Sequence, residues 1–72
     1  PLKIFEEPKP GKEYVIGADV AEGLKHGDYS VATVVDTVTM KVVARWRGRC
    51  DPDRFGEILG ALGSYYNYAL SI

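Results

Sequence analysis

EYVIGADV, residues 13–20, is the stretch whose reading decides the fold. Tyr14, Ile16, Ala18 and Val20 alternate with Val15, Gly17 and Asp19, the period-2 pattern of a β-strand. Both sets are mostly apolar, which predicts a central strand covered on each side. Asp19 is the exception. Aspartate is disfavoured in strands, and an unpartnered carboxylate near a core is costly. At the exit of a central strand the natural partner is a hard cation bound through oxygen ligands. The alternative is a carboxylate that caps the following loop through backbone N–H groups.

Downstream, residues 21–29 (AEGLKHGDY) form a loop marked by Gly23 and Gly27. SVATVVDT, residues 30–37, reads as a second strand rich in β-branched residues. Val38 and Thr39 make a tight connection to a third strand, MKVVARWRG, residues 40–48. There Met40, Val42, Ala44 and Trp46 alternate with Lys41, Val43, Arg45 and Arg47, a pattern that suits an edge strand with one buried face. Then the period changes. Asp51 and Pro52 suit the cap and first position of a helix. Phe55, Ile58, Leu59 and Leu62 follow as one apolar stripe. Gly56, Gly60 and Gly63 weaken this helix by up to about 1 kcal/mol each relative to alanine, or let it lie close to the sheet. Asn67 ends it, and YALSI, residues 68–72, begins a fourth strand.

Upstream, residues 1–12 (PLKIFEEPKPGK) hold three of the four prolines and read as an extended connector that Leu2, Ile4 and Phe5 could pin to the surface. The expected organisation is therefore a lead-in, 1–12, and an α/β unit, 13–72, of order β-β-β-α-β. Three antiparallel strands precede a crossover helix that returns the fourth strand parallel to the first.

A chain of 72 residues makes one domain at most, with a thin core. Its net charge of −1 argues against a purely electrostatic nucleic-acid coat. It permits a nuclease, whose acidic metal ligands offset basic residues elsewhere. Cys50 is the only cysteine, which excludes an internal disulfide or a cysteine metal cluster and fits a reduced, cytoplasmic setting. No apolar run approaches the roughly 18 residues of a membrane span, and no signal-peptide pattern opens the chain. The first residue is Pro1, so the sequence is expected to be a piece of something longer.

Asp28 is the second candidate ligand. It could reach a metal from the loop opposite Asp19, support the site from behind, or serve as a turn aspartate bonding local N–H groups. Glu22 and His26 are solvated loop residues with weaker functional alternatives. Lys41, Arg45, Arg47 and Arg49 could track a DNA backbone, or form an ordinary solvated edge. Trp46, Tyr65, Tyr66 and Tyr68 read as core and surface packing, not a base-stacking platform. Ser30 has no histidine partner in sight, which removes a serine-nucleophile mechanism.

The run YVIGADVAEGLKHGDYSVATVVD, residues 14–36, resembles the opening of phage terminase large-subunit nuclease domains. There a strand ends in an aspartate, a short glycine-containing loop follows, and a Gly-Asp-Tyr-Ser turn starts the second strand. The similarity continues through VARWRGRCDPDRFGEILGALGSYYNYAL, residues 43–70, with its Asp-Pro-Asp helix start and its Tyr-Asn before the fourth strand. The resemblance implies a ribonuclease-H-like fold and a metal-dependent endonuclease that cuts concatemeric double-stranded DNA during genome packaging. It also implies Mg²⁺ or Mn²⁺ as cofactor and Asp19 as catalytic metal ligand, with Asp28 a second candidate. Portal and small terminase subunit are the implied partners, in the cytoplasm of a bacterial host, for a phage or prophage protein without a membrane segment. The family's other carboxylates lie at or past the end of the fourth strand and on a late helix. The chain is then the N-terminal portion of that domain, inactive alone, with an open sheet edge that invites self-association.

Two other classes compete. Actin-like and sugar-kinase ATPases also open with a strand ending in aspartate. They need small residues and hydroxyls immediately after it to hold phosphates, whereas Val20, Ala21 and Glu22 follow here, and an acid repels phosphate. A non-catalytic DNA-docking or scaffold fragment is the remaining reading.

Overall fold

The computed structural model of the chain describes residues 2–20 and 29–71. Alternating β-branched and aromatic residues make β2 (Tyr14–Asp19) and β3 (Ser30–Asp36) an antiparallel pair in which Ile16 faces Val34 and Asp19 faces Val31. Next comes β4 (Val42–Gly48), antiparallel to β3. The helix α1 (Pro52–Tyr65) then crosses over and delivers β5 (Leu70–Ser71) parallel to β2, with Val15 opposite Leu70. The expected β-β-β-α-β order is therefore present. It sits in a five-stranded sheet of order β1-β4-β3-β2-β5.

The additional strand is β1 (Leu2–Ile4), built from the proline-rich lead-in and antiparallel to β4. It makes β4 an interior strand, not the edge that its alternation predicts. Pro8 and Pro10 fall beyond β1, so neither deprives the ladder of an N–H group. A β-bulge also shifts the faces of β4. Pairing steps from Val34–Ala44 to Val35–Val42, which leaves Val43 as the extra residue. Val43 and Ala44 are consequently both buried, while Val42 and Met40 are exposed, against the expected alternation. The Val43 carbonyl accepts the N–H groups of Phe5 at 2.8 Å and Glu6 at 3.1 Å, extending the grip of β4 on the lead-in.

The core lies between α1 and one face of the sheet: Tyr14, Ile16, Ala32, Val34, Val43, Ala44, Phe55, Leu62 and Tyr66. The Asp51 carboxylate accepts the Arg54 N–H at 2.9 Å and Pro52 opens the helix, as the sequence dictates. Phe55 and Leu62 are buried, with Ile58 and Leu59 packed against them. Of the helix glycines only Gly63 serves a close approach: a Cβ there would lie 3.3 Å from the Ala69 carbonyl oxygen. The other sheet face carries half-buried Val15, Gly17, Val31, Thr33 and Val35, and exposed Arg45 and Arg47. No described element covers it, so the expected two-sided cover of β2 is not met among the described residues.

The lead-in is clamped at its far end as well. The hydroxyl of fully buried Tyr66 donates to the Glu6 carbonyl at 2.8 Å, and the Tyr65 hydroxyl bonds the Glu7 carboxylate. The Asn67 amide donates to the carbonyls of Lys9 and Lys12, each at 2.9 Å. Asn67 and Tyr68 adopt left-handed backbone (φ 57° and 59°), which turns the chain from α1 into β5. Burial pushes the Tyr66 hydroxyl up to about 12.

Asp36 closes the β3–β4 connection. Its side chain is almost wholly buried, accepts the N–H groups of Val38 and Thr39 at 2.8 and 3.2 Å, and pairs with the Lys12 ammonium at 2.7 Å. The Lys12 hydrogen bond, followed by that from Val38, holds the Asp36 carboxyl down at about 2 against an ordinary 3.8. A folded-state value below the unfolded one contributes stability that is complete above pH 4 or so and is lost as pH falls toward 2. Asp36→Asn is expected to lower the urea midpoint at neutral pH, with the gap to the parent narrowing through that acid window. A gap that stayed constant down to the acid limit would remove the charge from the explanation.

Candidate functional site

Because alternate residues of a strand share a face, the cross-strand register sorts the side chains into rows. Gly17, Thr33, Arg45 and Lys3 form one row on the face that α1 leaves uncovered; Asp19, Val31 and Arg47 form the next. Asp19 is the last residue of β2 and is exposed. With Gly17, Ala18, Val31, Thr33 and Arg45 it lines an open cavity of about 400 Å³. Gly17 leaves the floor bare, since nothing lies within 4 Å of where its Cβ would stand.

Among the described residues no hydrogen bond or ion pair engages the Asp19 carboxylate. A carboxylate is the oxygen ligand that a hard cation takes. A single carboxylate defines one corner of such a centre. The described residues gather no group of three or more His, Cys, Asp or Glu. Asp28, Glu22 and His26 lie outside the described residues, as does the loop that Asp19 would cap in its alternative role.

The basic residues divide. Arg45 and Arg47 stand on the Asp19 face, in mid-sheet and not on the solvated edge expected of them. The Arg47 guanidinium lies over the Tyr29 ring at 4.1 Å, and that of Arg49 at 4.9 Å from the same ring. Lys41 sits beside the β3–β4 turn at the opposite end of the sheet from Asp19. Trp46 packs on Phe55 and Tyr66 fills the core, while Tyr65 and Tyr68 lie at the surface. Ser30 is buried. Lys3 and Tyr29 were not legible as members of this face. The alternation Leu2-Lys3-Ile4 is the one signal that reveals a strand there.

The order of elements and the crossover helix make an α/β unit of the ribonuclease-H-like kind. Solved structures of the large terminase nuclease from thermophilic phage G20c share it. With magnesium bound, that nuclease matches with a TM-score of 0.88 and 29% identity over 99% of this chain and 36% of its own. With zinc bound, the figures are 0.87 and 28% over 99% and 40%. A third structure of the nuclease gives 0.80 and 29% over 97% and 37%. The chain is thus similar to the large terminase nuclease in fold and in sequence, and spans at most two-fifths, 40%, of those structures. No protein-family model and no curated protein matches it. Among the described residues no helix is long and apolar enough to cross a membrane.

Proposed function

We propose that the chain forms part of a metal-dependent DNA endonuclease domain of the terminase large-subunit kind, with Asp19 as a metal ligand. The observation that carries this reading is the conjunction of an exposed Asp19 at the end of β2, without a partner among the described residues, with 29% identity to a nuclease that was solved with magnesium. A bound Mg²⁺ or Mn²⁺ would stabilise the attacking and leaving oxygens of phosphodiester hydrolysis. Asp19 supplies anionic oxygens, Gly17 keeps the approach clear, and Arg45 sets a positive charge beside the cavity. Asp28 is proposed as a further ligand, and the remaining acids belong to the part of such nucleases that this chain does not span. Double-stranded DNA is the proposed substrate, cut during genome packaging in a bacterial host with portal and small terminase subunit as partners. The similarity to nucleases favours this reading over an actin-like or sugar-kinase ATPase.

The test is a Mn²⁺ titration of the labelled chain followed by NMR. Paramagnetic broadening is expected to centre on the amides of Gly17, Ala18, Asp19 and Val31, and to disappear in Asp19→Asn. Binding is expected to be weak, because one or two carboxylates displace few of the cation's waters. Broadening centred on Glu6 and Glu7 instead, unchanged in Asp19→Asn, would end the metal-site reading. Self-association through the outer edge of β5 is part of the proposal, since β5 stands last in the sheet and Leu70 is exposed. A monomer by light scattering at high concentration would contradict it.

A further inference from the structure

Lys3 and Arg45 are direct cross-strand partners, and Arg47 follows two residues along β4 on the same face. Like charges placed opposite each other across a sheet destabilise it. Among the described residues no acidic side chain relieves them, for the ion pairs there are Lys12–Asp36 and Arg54–Glu57. With Phe5 and Tyr29 these three cations line a cavity of about 330 Å³. The Tyr29 ring under Arg47 steadies one guanidinium, and Phe5 is 59% exposed at the wall. A cavity with three cations that no described acid neutralises, and with apolar walls, matches a phosphate attached to a sugar better than it matches a peptide or an apolar ligand.

We propose that this cavity, built by Lys3, Arg45 and Arg47, holds a backbone phosphate of a nucleic acid that runs across the sheet toward Asp19. The direction of the strand rests on the nuclease reading; the phosphate site itself does not. Arg45 lines both this cavity and that of Asp19, and so joins the two. It stands two strands away from β2, roughly 10 Å at the usual strand spacing. It therefore engages a phosphate other than the one at Asp19, as a positioning residue.

The experiment is fluorescence anisotropy of a short labelled DNA duplex with the 72-residue chain, in EDTA so that no cation at Asp19 takes part. Lys3→Gln, Arg45→Gln and their combination are compared with Lys41→Gln, a basic residue at the other end of the sheet. The double variant is expected to bind at least about tenfold more weakly at about 50 mM salt, and to lower the salt-dependence slope by about 2. Lys41→Gln is expected to stay within about twofold of the parent, the size of one diffuse surface charge. Equal losses in Lys41→Gln and the double variant, or no loss in either, overturn the proposal. Lys3→Gln alone, at an exposed position, keeps the test decisive should the double variant unfold. Displacement of the duplex by inorganic phosphate at constant ionic strength would assign the site to the free ion and also overturn it. Loss of this binding pattern with Mn²⁺ broadening intact would sink this proposal alone; the reverse result would sink the nuclease reading alone.

Discussion

Asp19→Asn, placed in a complete nuclease domain carrying these residues, is expected to lower metal-dependent DNA cleavage by about a thousandfold or more while the fold is retained. The amide keeps the shape of the carboxylate and loses its charge. Charge stabilisation by a bound metal contributes several kcal/mol to such a transition state, and each 1.4 kcal/mol or so is a factor of ten in rate. Stability should hardly change, because Asp19 is exposed and makes no bond among the described residues that the fold depends on. A supercoiled-plasmid nicking assay with Mn²⁺, paired with a thermal melt, reads both quantities. Cleavage within tenfold of the parent would show that Asp19 does not hold the metal. By the same logic the 72-residue chain alone should leave plasmid intact. One carboxylate cannot fix the geometry of a hydrolytic centre.

Phe55→Ala is expected to cost about 3–5 kcal/mol of stability, the range for removing a fully buried aromatic ring. Phe55 is 1% exposed, its ring centre 5.7 Å from that of Trp46, and it stands in the first turn of α1, which covers the core. A chain of 72 residues has about 4–11 kcal/mol in total, at 0.05–0.15 kcal/mol or so per residue. The variant therefore loses a large share of the total and, at the low end of that range, sits at its unfolding midpoint. Phe55→Leu, which keeps most of the volume, should lose far less. Urea denaturation followed by circular dichroism separates the two, and near-equal midpoints would mean that α1 is held by something other than its apolar stripe.

What could be read from sequence followed from strictly local rules. The alternation in residues 13–20 and 30–37 and the i, i+3, i+4, i+7 stripe from Phe55 to Leu62 each express one element's own period. Asp51-Pro52 marks a helix start without any tertiary information. The misreadings have a common origin in contacts between distant segments. Nothing within PLKIFEEPKPGK announces that Leu2–Ile4 will pair with Trp46–Ala44. The bulge at Val43 cannot be seen in a stretch that alternates cleanly through Arg47. Asp36 is the tail of a strand, as its sequence implies, and is also a buried hub fed by Lys12 from 24 residues away. Asp19 was legible for the opposite reason. An acid in an apolar strand violates the local rule, and such violations concentrate where function resides.

The clamp formed by Tyr65, Tyr66 and Asn67 on the lead-in joins residues 55 to 60 positions apart. Closing so long a loop is entropically costly until the segments between are already docked, so these bonds form after the strands and helix they bridge. Contacts made after the transition state leave the folding rate nearly untouched and act on unfolding. Substitution of Asn67 is therefore expected to shorten how long the native state lasts once formed, and to leave how quickly it is reached nearly unchanged.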